Sequence, residues 1–264
     1  MESDLSENLG RNYYLSQKPK IMKNFEKQIE LFQRVLYNQF EEEVVFQIIN
    51  ETRIEYEKLI PEMPYIGAKE SRVGRRLTSN IINTTMGLAL WKSMKKHGVT
   101  VEEVAVLLYE TAEEMFNSMS RFSKLFLKTF RALTNAFPLK HLYRGLLKNM
   151  AKKSQEREFH NNFVMHYIDG KGEEFDYGFD YTVCPINNFW REQGEEELLP
   201  YICLYDYFTS DLTGSGLIRT QTLAEGFDRC DFRFKRGRKS ENRQRTQFIK
   251  REDLKKPNQS SKKS

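Results

Sequence analysis

The stretch FDYGFDYTV at residues 175–183 decides the fold class of this chain, because its hydrophobic period differs from that of the residues before 159. Its large apolar side chains occupy every second position, which is the period of a half-buried β-strand. A shorter alternation around Met165 precedes it, and the polar run Asp169-Gly170-Lys171-Gly172 separates the two. Two alternating runs joined by a glycine-containing turn predict a β-hairpin.

Upstream of this hairpin, the apolar residues recur at helical spacing. Ile21, Phe25 and Ile29 lie four residues apart, and the pattern continues until Pro61. The run from Thr100 to Glu103 has the form of a capping box that opens a later helix. An apolar and basic stretch over residues 119–133 and a further run over 139–150 continue the series. We therefore predict about five or six helices in the first half of the chain.

Downstream of the hairpin, a second one is expected from strands at residues 217–224 and 230–235. Residues 187–190 and 195–208 have helical patterns and lie between the two hairpins. This order predicts an α+β fold, in which an N-terminal helical half packs on a C-terminal antiparallel sheet with helical insertions.

The chain divides by composition into four parts. We expect an N-terminal extension at residues 1–20, a helical half at 21–158, an antiparallel sheet carrying the candidate site at 159–235, and a basic disordered tail at 236–264. The tail holds 11 Lys or Arg against 3 Asp or Glu, whereas residues 1–235 hold 31 against 34. A charged segment with few apolar residues cannot bury a core, which predicts a solvated tail. A nucleic-acid contact through the tail is the less favoured alternative, because Phe248 is its only aromatic residue.

Several classes of protein are disfavoured by what the sequence contains. No apolar run approaches the roughly 18 residues of a membrane span, and the N-terminal residues lack the apolar segment of a secretion signal. Three cysteines are an odd number and favour reduced thiols. We therefore expect a cytoplasmic protein without a membrane partner. The glycine motif at residues 214–216 precedes a strand and not a helix, so no nucleotide cofactor is expected.

The candidate chemistry lies in the last third of the chain, which contains all three cysteines. Cys184, Cys203 and Cys230 are interleaved there with Asp206 and Arg219. The thiols are candidate zinc ligands, with Asp206 or a water completing the set. Their spacings are longer than those of a Cys-x-x-Cys zinc motif, and the thiols are also candidate nucleophiles, with Asp206 transferring protons. The third interpretation is that the cysteines only fill the core, where this residue type is common.

The alternation of the predicted strands suggests how such a site would be assembled. Thr220 and Thr222 are expected on the same sheet face as Cys230. A helix would place Cys203 and Asp206 above that face, because residues three apart share one side of a helix. The expected site is therefore a small pocket between sheet and helix.

The same region carries a longer pattern of residues. The pattern consists of Cys184, Leu199-Pro200-Tyr201-Ile202-Cys203, Asp206, Arg219-Thr220-Gln221-Thr222-Leu223-Ala224, Gly226 and Cys230-Asp231-Phe232. It resembles the C-terminal signature of the L-2-amino-thiazoline-4-carboxylic acid hydrolase family. Residues 60–67 and 88–104 are similar to the helical half of that family, so the resemblance covers roughly residues 25 to 235. One position departs from the pattern, since Phe227 stands where such sequences often carry a second glycine.

The resemblance implies a hydrolase that acts on a non-peptide carbon–nitrogen bond in a small cyclic amidine. The expected reaction is the ring-opening of 2-amino-thiazoline-4-carboxylate to a carbamoyl-cysteine, and the partner is thus a small substrate derived from an amino acid. The alternative is a non-catalytic small-molecule-binding or scaffold module that keeps a structural metal–thiolate site. The residues expected to take part in catalysis are Cys203, Cys230, Asp206 and Cys184.

The resemblance also implies a binding site for the substrate carboxylate. The planar guanidinium of Arg219 suits a bidentate grip on a carboxylate. Thr220 or Thr222 would bind the substrate by donating to the charge that develops in the tetrahedral transition state. In the other interpretation, Arg219 pairs with Asp206 or Asp231 and only satisfies a buried charge.

Overall fold

The computed structural model describes residues 2–70, 72–120, 122, 123, 129 and 139–242. The predicted helix at residues 119–133 lies mostly outside the described residues. The part of the predicted tail from residue 243 onward lies outside them as well.

The predicted helical half is confirmed. Its helices are α1 Glu2–Leu36, α2 Glu42–Leu59, α3 Arg72–Lys96, α4 Val101–Ser118 and α5 Leu139–Gln155. The first four helices share one apolar core, in which the ring of Phe25 in α1 stacks on Tyr56 in α2 at 5.1 Å. None of the helices in the described part of the chain is both long and apolar enough to cross a bilayer.

The ends of these helices follow from local chemistry. Pro61 lies in a 3₁₀ turn at Ile60–Glu62 that follows α2 directly. At the start of α4, the Glu103 amide donates to Thr100 Oγ1 and the Thr100 amide donates to Glu103 Oε2, which is the predicted capping box. The predicted boundary at residue 20 falls inside α1. Tyr14, on the N-terminal side of it, is fully buried and donates a hydrogen bond to the Pro64 carbonyl.

The C-terminal half forms one sheet, which confirms the α+β fold. Its strands are β1 Val164–Asp169, β2 Tyr177–Val183, β3 Leu217–Arg219, β4 Cys230–Phe234 and β5 Glu241–Asn242. Their order across the sheet is β1-β2-β4-β3-β5. The first four strands pair antiparallel, and β5 pairs parallel with β3. Residues 236–242, assigned by composition to the tail, thus include a short strand of this sheet.

The two faces of the sheet differ in character. Tyr177 and Phe179 of β2 alternate onto one face, where Leu147 and Ala151 of α5 cover them. The opposite face is polar, with Arg233 Nη2 and Asp180 Oδ1 2.7 Å apart. The alternation of residues 175–183 therefore directs aromatic rings toward α5.

The first predicted helical insertion extends beyond residues 187–190 at both ends, whereas the second is divided into shorter pieces. The helical insertions are α6 Pro185–Glu192, a 3₁₀ turn at Glu196–Leu198, α7 Leu199–Ile202 and α8 Tyr205–Thr213. The helix predicted over residues 195–208 is interrupted after Ile202. Cys203 lies at this interruption, at the C-cap of α7.

The strand predicted at residues 217–224 is wrong beyond Arg219. Asp231 accepts hydrogen bonds from the backbone amides of Thr220 and Gln221, at 2.9 and 2.8 Å. A 3₁₀ turn at Leu223–Glu225 follows, and Thr222 Oγ1 accepts from the Glu225 amide at its start. Side-chain acceptors thus satisfy backbone donors that a longer strand would have paired with a neighbour.

Candidate functional site

Arg219, at the end of β3, is the centre of the candidate site. Its Nη1 donates to Asp206 Oδ2 and its Nη2 donates to the Cys203 carbonyl, both at 2.7 Å. The guanidinium lies between two rings, 5.0 Å from the Tyr207 centroid and 4.7 Å from the Phe232 centroid. The helical insertion and the sheet are therefore joined through one cation.

Because the Arg219 guanidinium is buried, its positive charge needs a partner inside the protein. The Arg219 side chain is 1% exposed, whereas that of Asp206 is 47% exposed. A buried charge without a partner is costly, so the carboxylate of Asp206 compensates the guanidinium. Burial lowers the pKa of Arg219, but Asp206, Cys203 and Tyr207 together outweigh this effect and the net pKa is above the ordinary value. The result is an exposed carboxylate oriented by a buried arginine.

The three thiols lie in this neighbourhood, each on a different element. Cys184 is the N-cap of α6, Cys203 follows α7, and Cys230 begins β4. All three are free, and Cys230 is buried while the other two are partly buried. The charges of Arg219 and Asp206 both act on Cys203 and Cys230. The structure therefore brings Cys203, Cys230, Asp206 and Arg219 together, with Cys184 close enough to interact electrostatically with Cys203.

The environment keeps the thiols protonated at neutral pH. Burial raises the pKa of the Cys184 thiol to about 12, against the weaker opposing effect of the Asn187 and Ile186 backbone amides. Burial likewise raises the pKa of Cys230 to about 11, although the Leu223 amide donates to its sulfur at 3.2 Å. For Cys203, burial outweighs the charge of Arg219, and the pKa lies well above 9.0. A neutral thiol can donate a proton, but it is a poor nucleophile because the thiolate is the form that attacks. The thiols of this site are therefore better suited to proton donation.

The two threonines are not where the strand alternation placed them. Because Leu217 pairs with Phe234 and Ile218 with Arg233, Arg219 shares a face with Phe232, and Thr220 points the other way. The Thr220 hydroxyl donates to Asp231 Oδ2 at 2.6 Å. Thr222 is fully buried, and its hydroxyl donates to Glu225 Oε2 at 2.8 Å. The expectation of one face carrying Cys230 together with Thr220 is therefore wrong.

The metal hypothesis receives no support from the arrangement of side chains. Within the described ranges, no group of three or more His, Cys, Asp or Glu side chains is placed so that it could hold a metal ion. The three cysteines stay candidates for thiol chemistry or for packing.

Three further residues complete the site. Tyr207 and Phe232 sandwich Arg219, and Tyr207 also donates to the Arg219 carbonyl at 3.1 Å. Tyr207 lies four residues after Cys203, and no sequence signal marked Phe232 as a partner of the arginine. Asn187 was also missed, and its side-chain oxygen is buried without a hydrogen-bond partner in the described structure. Asn187 lies three residues after Cys184, in the first turn of α6.

The fold and the site together define an α+β protein in which a helical insertion, carrying Cys203 and Asp206, is fastened to the sheet by Arg219. The family model for L-2-amino-thiazoline-4-carboxylic acid hydrolase matches residues 79–234. The chain belongs to this family, whose name describes a hydrolase. All the candidate site residues lie inside the matched range, whereas residues 25–78 lie before it. No curated protein and no solved structure shows significant similarity to the chain.

Proposed function

We propose that the protein hydrolyses a non-peptide carbon–nitrogen bond in a small cyclic amidine of the 2-amino-thiazoline-4-carboxylate type. The observation that carries the proposal is the position of the site within the family match. The half-exposed Asp206 carboxylate, oriented by Arg219 and interacting electrostatically with the thiols of Cys203 and Cys230, lies inside residues 79–234. A carboxylate next to neutral thiols supplies both a proton acceptor and proton donors.

The reaction consumes one water. Oxygen adds to the ring carbon that lies between sulfur and nitrogen, and a tetrahedral intermediate forms. Cleavage of the ring carbon–nitrogen bond, with protonation of the departing nitrogen, gives S-carbamoyl-cysteine. Cleavage of the carbon–sulfur bond would give N-carbamoyl-cysteine instead. The protein must supply a base for the water and an acid for the leaving atom.

We assign Asp206 to the proton transfers. It is the exposed member of the buried ion pair, so water and substrate can reach it while Arg219 fixes its orientation. A thiol can act in two ways beside it. It protonates the departing nitrogen, or it loses its proton to Asp206 and attacks the ring carbon itself. In the second case water releases a covalent intermediate. The raised thiol pKa opposes this loss of the proton, so it favours the first role, protonation of the departing nitrogen.

Charge on the tetrahedral intermediate needs hydrogen-bond donors. The hydroxyls of Thr220 and Thr222 already donate to Asp231 and Glu225, so they would have to exchange those bonds. The amide of Asn187, whose oxygen is buried and unpaired in the described structure, is an additional candidate for polar contact with the substrate. We therefore assign Asn187 to substrate binding, whereas a role for Thr220 or Thr222 requires that the hydroxyl first release Asp231 or Glu225.

The test is turnover of 2-amino-thiazoline-4-carboxylate, with the products separated by mass spectrometry and NMR. We expect carbamoyl-cysteine, with the S-isomer reporting carbon–nitrogen cleavage. Asp206→Asn should reduce kcat by about 100-fold or more, the usual contribution of a positioned acid or base. Cys203→Ser and Cys230→Ser should also reduce kcat.

The matched control is Asp228→Asn. Asp228 is 75% exposed, and its ion pair is with the adjacent Arg229, so its loss should leave turnover unchanged. Absence of turnover in the parent protein, or full activity in both cysteine variants and in Asp206→Asn, would overturn the proposal. Folding of each variant is checked by its melting temperature.

A further inference from the structure

A second functional surface is indicated by the charge pattern before the sheet. Residues 115–155 contain nine Lys or Arg and no Asp or Glu. The rest of the body up to residue 235 is acidic by contrast. Helix α5 Leu139–Gln155 lies inside this acid-free segment, and its last turn holds Lys152 and Lys153.

Helix α5 has apolar residues on two different sides. Leu147 and Ala151 face the sheet and are 8% and 1% exposed. Leu142 and Leu146 lie one turn apart on the outer side and are 63% and 54% exposed. The helical repeat places Lys153 on the same outer side, and Lys152 is exposed beside it. The outward face of α5, defined by Leu142, Leu146, Lys152 and Lys153, is therefore both apolar and cationic.

We propose that the outward face of α5 docks on an anionic lipid bilayer. A helix of this kind lies in the plane of the membrane, with leucines in the boundary between headgroups and acyl chains. Lysines near the surface add attraction to anionic headgroups. The inward face of α5 stays on the sheet, so docking requires no unfolding.

The combination of side chains favours a bilayer over other partners. A nucleic acid would use the lysines but would leave the two leucines against a charged backbone. A second copy of the chain, related by twofold symmetry, would bring the same cationic face against itself. An anionic membrane satisfies both features at once.

Surface docking differs from a membrane span. The expectation of no membrane partner rested on the lack of a long apolar run, and it does not exclude a helix that lies on the surface. The site around Arg219 is not involved, so the inference is independent of the proposed hydrolysis.

The test is flotation of the full chain with vesicles. One set contains phosphatidylcholine alone, and the other also contains phosphatidylglycerol at about one third of the lipid. We expect binding to the anionic vesicles, little binding to the neutral ones, and release as the salt concentration is raised. Equal binding to both sets, or binding to neither, would overturn the proposal.

Two double variants localise the binding. Leu142→Ser with Leu146→Ser removes the apolar part, and Lys152→Gln with Lys153→Gln removes the charge. Each double variant should lower the vesicle partition coefficient by about tenfold or more. The first removes two leucine side chains from the apolar boundary of the bilayer, and the second removes the attraction of two lysines to anionic headgroups. The matched control is Phe46→Ser, since Phe46 is 64% exposed on α2, whose first turn is acidic.

The remaining outcomes decide against the proposal. If both double variants bind anionic vesicles as well as the parent does, another basic segment, such as residues 243–264, is responsible. If the parent self-associates in light scattering and Leu142→Ser with Leu146→Ser abolishes it, a second copy covers this face. An unchanged melting temperature confirms that the variants are folded, which is expected because Leu147 and Ala151 are kept.

Discussion

At the scale of single residues, Arg219 determines the character of the site. Both terminal nitrogens bond within the protein, to Asp206 and to the Cys203 carbonyl, and two rings cover the guanidinium. These contacts match the interpretation in which Arg219 pairs with Asp206. The role of carboxylate anchor, implied by the family resemblance, requires that the guanidinium also reach the substrate.

Arg219→Lys separates the two roles of Arg219. Lysine keeps the charge but cannot form the two separate hydrogen bonds and the stacking of the guanidinium. If Arg219 positions Asp206, kcat falls for the ring acid and for its methyl ester by similar factors, and the melting temperature falls. If it anchors the carboxylate, KM rises for the acid, while the ester, which the parent binds poorly, loses little more. Steady-state kinetics on both compounds make the distinction.

The thiols give a prediction about pH. Only the thiolate reacts with iodoacetamide, and burial raises the pKa of Cys184 from 9.0 to about 12. We expect slow labelling of native Cys184 near neutral pH, with a rate that keeps rising above pH 9. Labelling is followed by peptide mass spectrometry, and the protein unfolded in guanidinium is the control. A native profile with the midpoint of a free thiol would contradict the burial argument.

The raised pKa of the Cys184 thiol also makes the free energy of unfolding depend on pH. Because the folded-state pKa lies above the unfolded value, the stabilisation by the protonated thiol is complete below pH 9.0 and is lost as the pH rises toward about 12. Cys184→Ala should therefore show a shallower loss of stability over this alkaline range than the parent protein.

At the scale of elements, two helical glycines have opposite surroundings. A Cβ on Gly74 in α3 would lie 2.2 Å from the Gly67 carbonyl oxygen, so the glycine permits close packing of a helix against a turn. A Cβ on Gly145 in α5 would meet no atom within 4 Å. The first position needs glycine, and the second does not.

Alanine substitutions test this difference. Gly145→Ala should stabilise the protein by about 0.5–1 kcal/mol, because alanine loses less conformational freedom in a helix. Gly74→Ala should destabilise it by about 1–3 kcal/mol, since backbone must move to relieve the overlap. Urea denaturation measures both changes. Equal effects at the two positions would show that the approach of Gly74 to Gly67 is not a constraint.

At the scale of the whole molecule, the last described residues belong to the body. Arg236 stacks on Tyr143 at 5.1 Å and its amide donates to Asp176, and Glu241 pairs with Ile218. Truncating the chain at different positions therefore tests whether the folded body ends at the predicted residue 236.

Two truncations locate the end of the folded body. Deletion of residues 243–264 should leave the melting temperature nearly unchanged, because this segment is rich in charged and polar residues and has little apolar surface to bury. Deletion of residues 236–264 should lower it, since β5 and the contacts of Arg236 are lost. Differential scanning calorimetry of both proteins is the measurement. A large loss from the shorter deletion would show that the segment from residue 243 packs on the body.

The sequence by itself determined the fold class and the neighbourhood of the site. The helical period before residue 159, the alternation at 175–183 and the capping box at Thr100 are local patterns, and each reappeared in the structure because it depends on nearby residues alone. The collection of cysteines, Asp206 and Arg219 in one segment was also visible without coordinates.

Only the tertiary structure decided which side chains meet. The register of β3 on β4 turns Arg219 toward Phe232 and Thr220 toward Asp231, and a shift of one residue would reverse both. The end of β3 depends on Asp231, eleven residues beyond Thr220, whose carboxylate captures two backbone amides. Strand alternation fixes which residues share a face, but the partner strand fixes which face it is, and that choice is made by contacts distant in sequence.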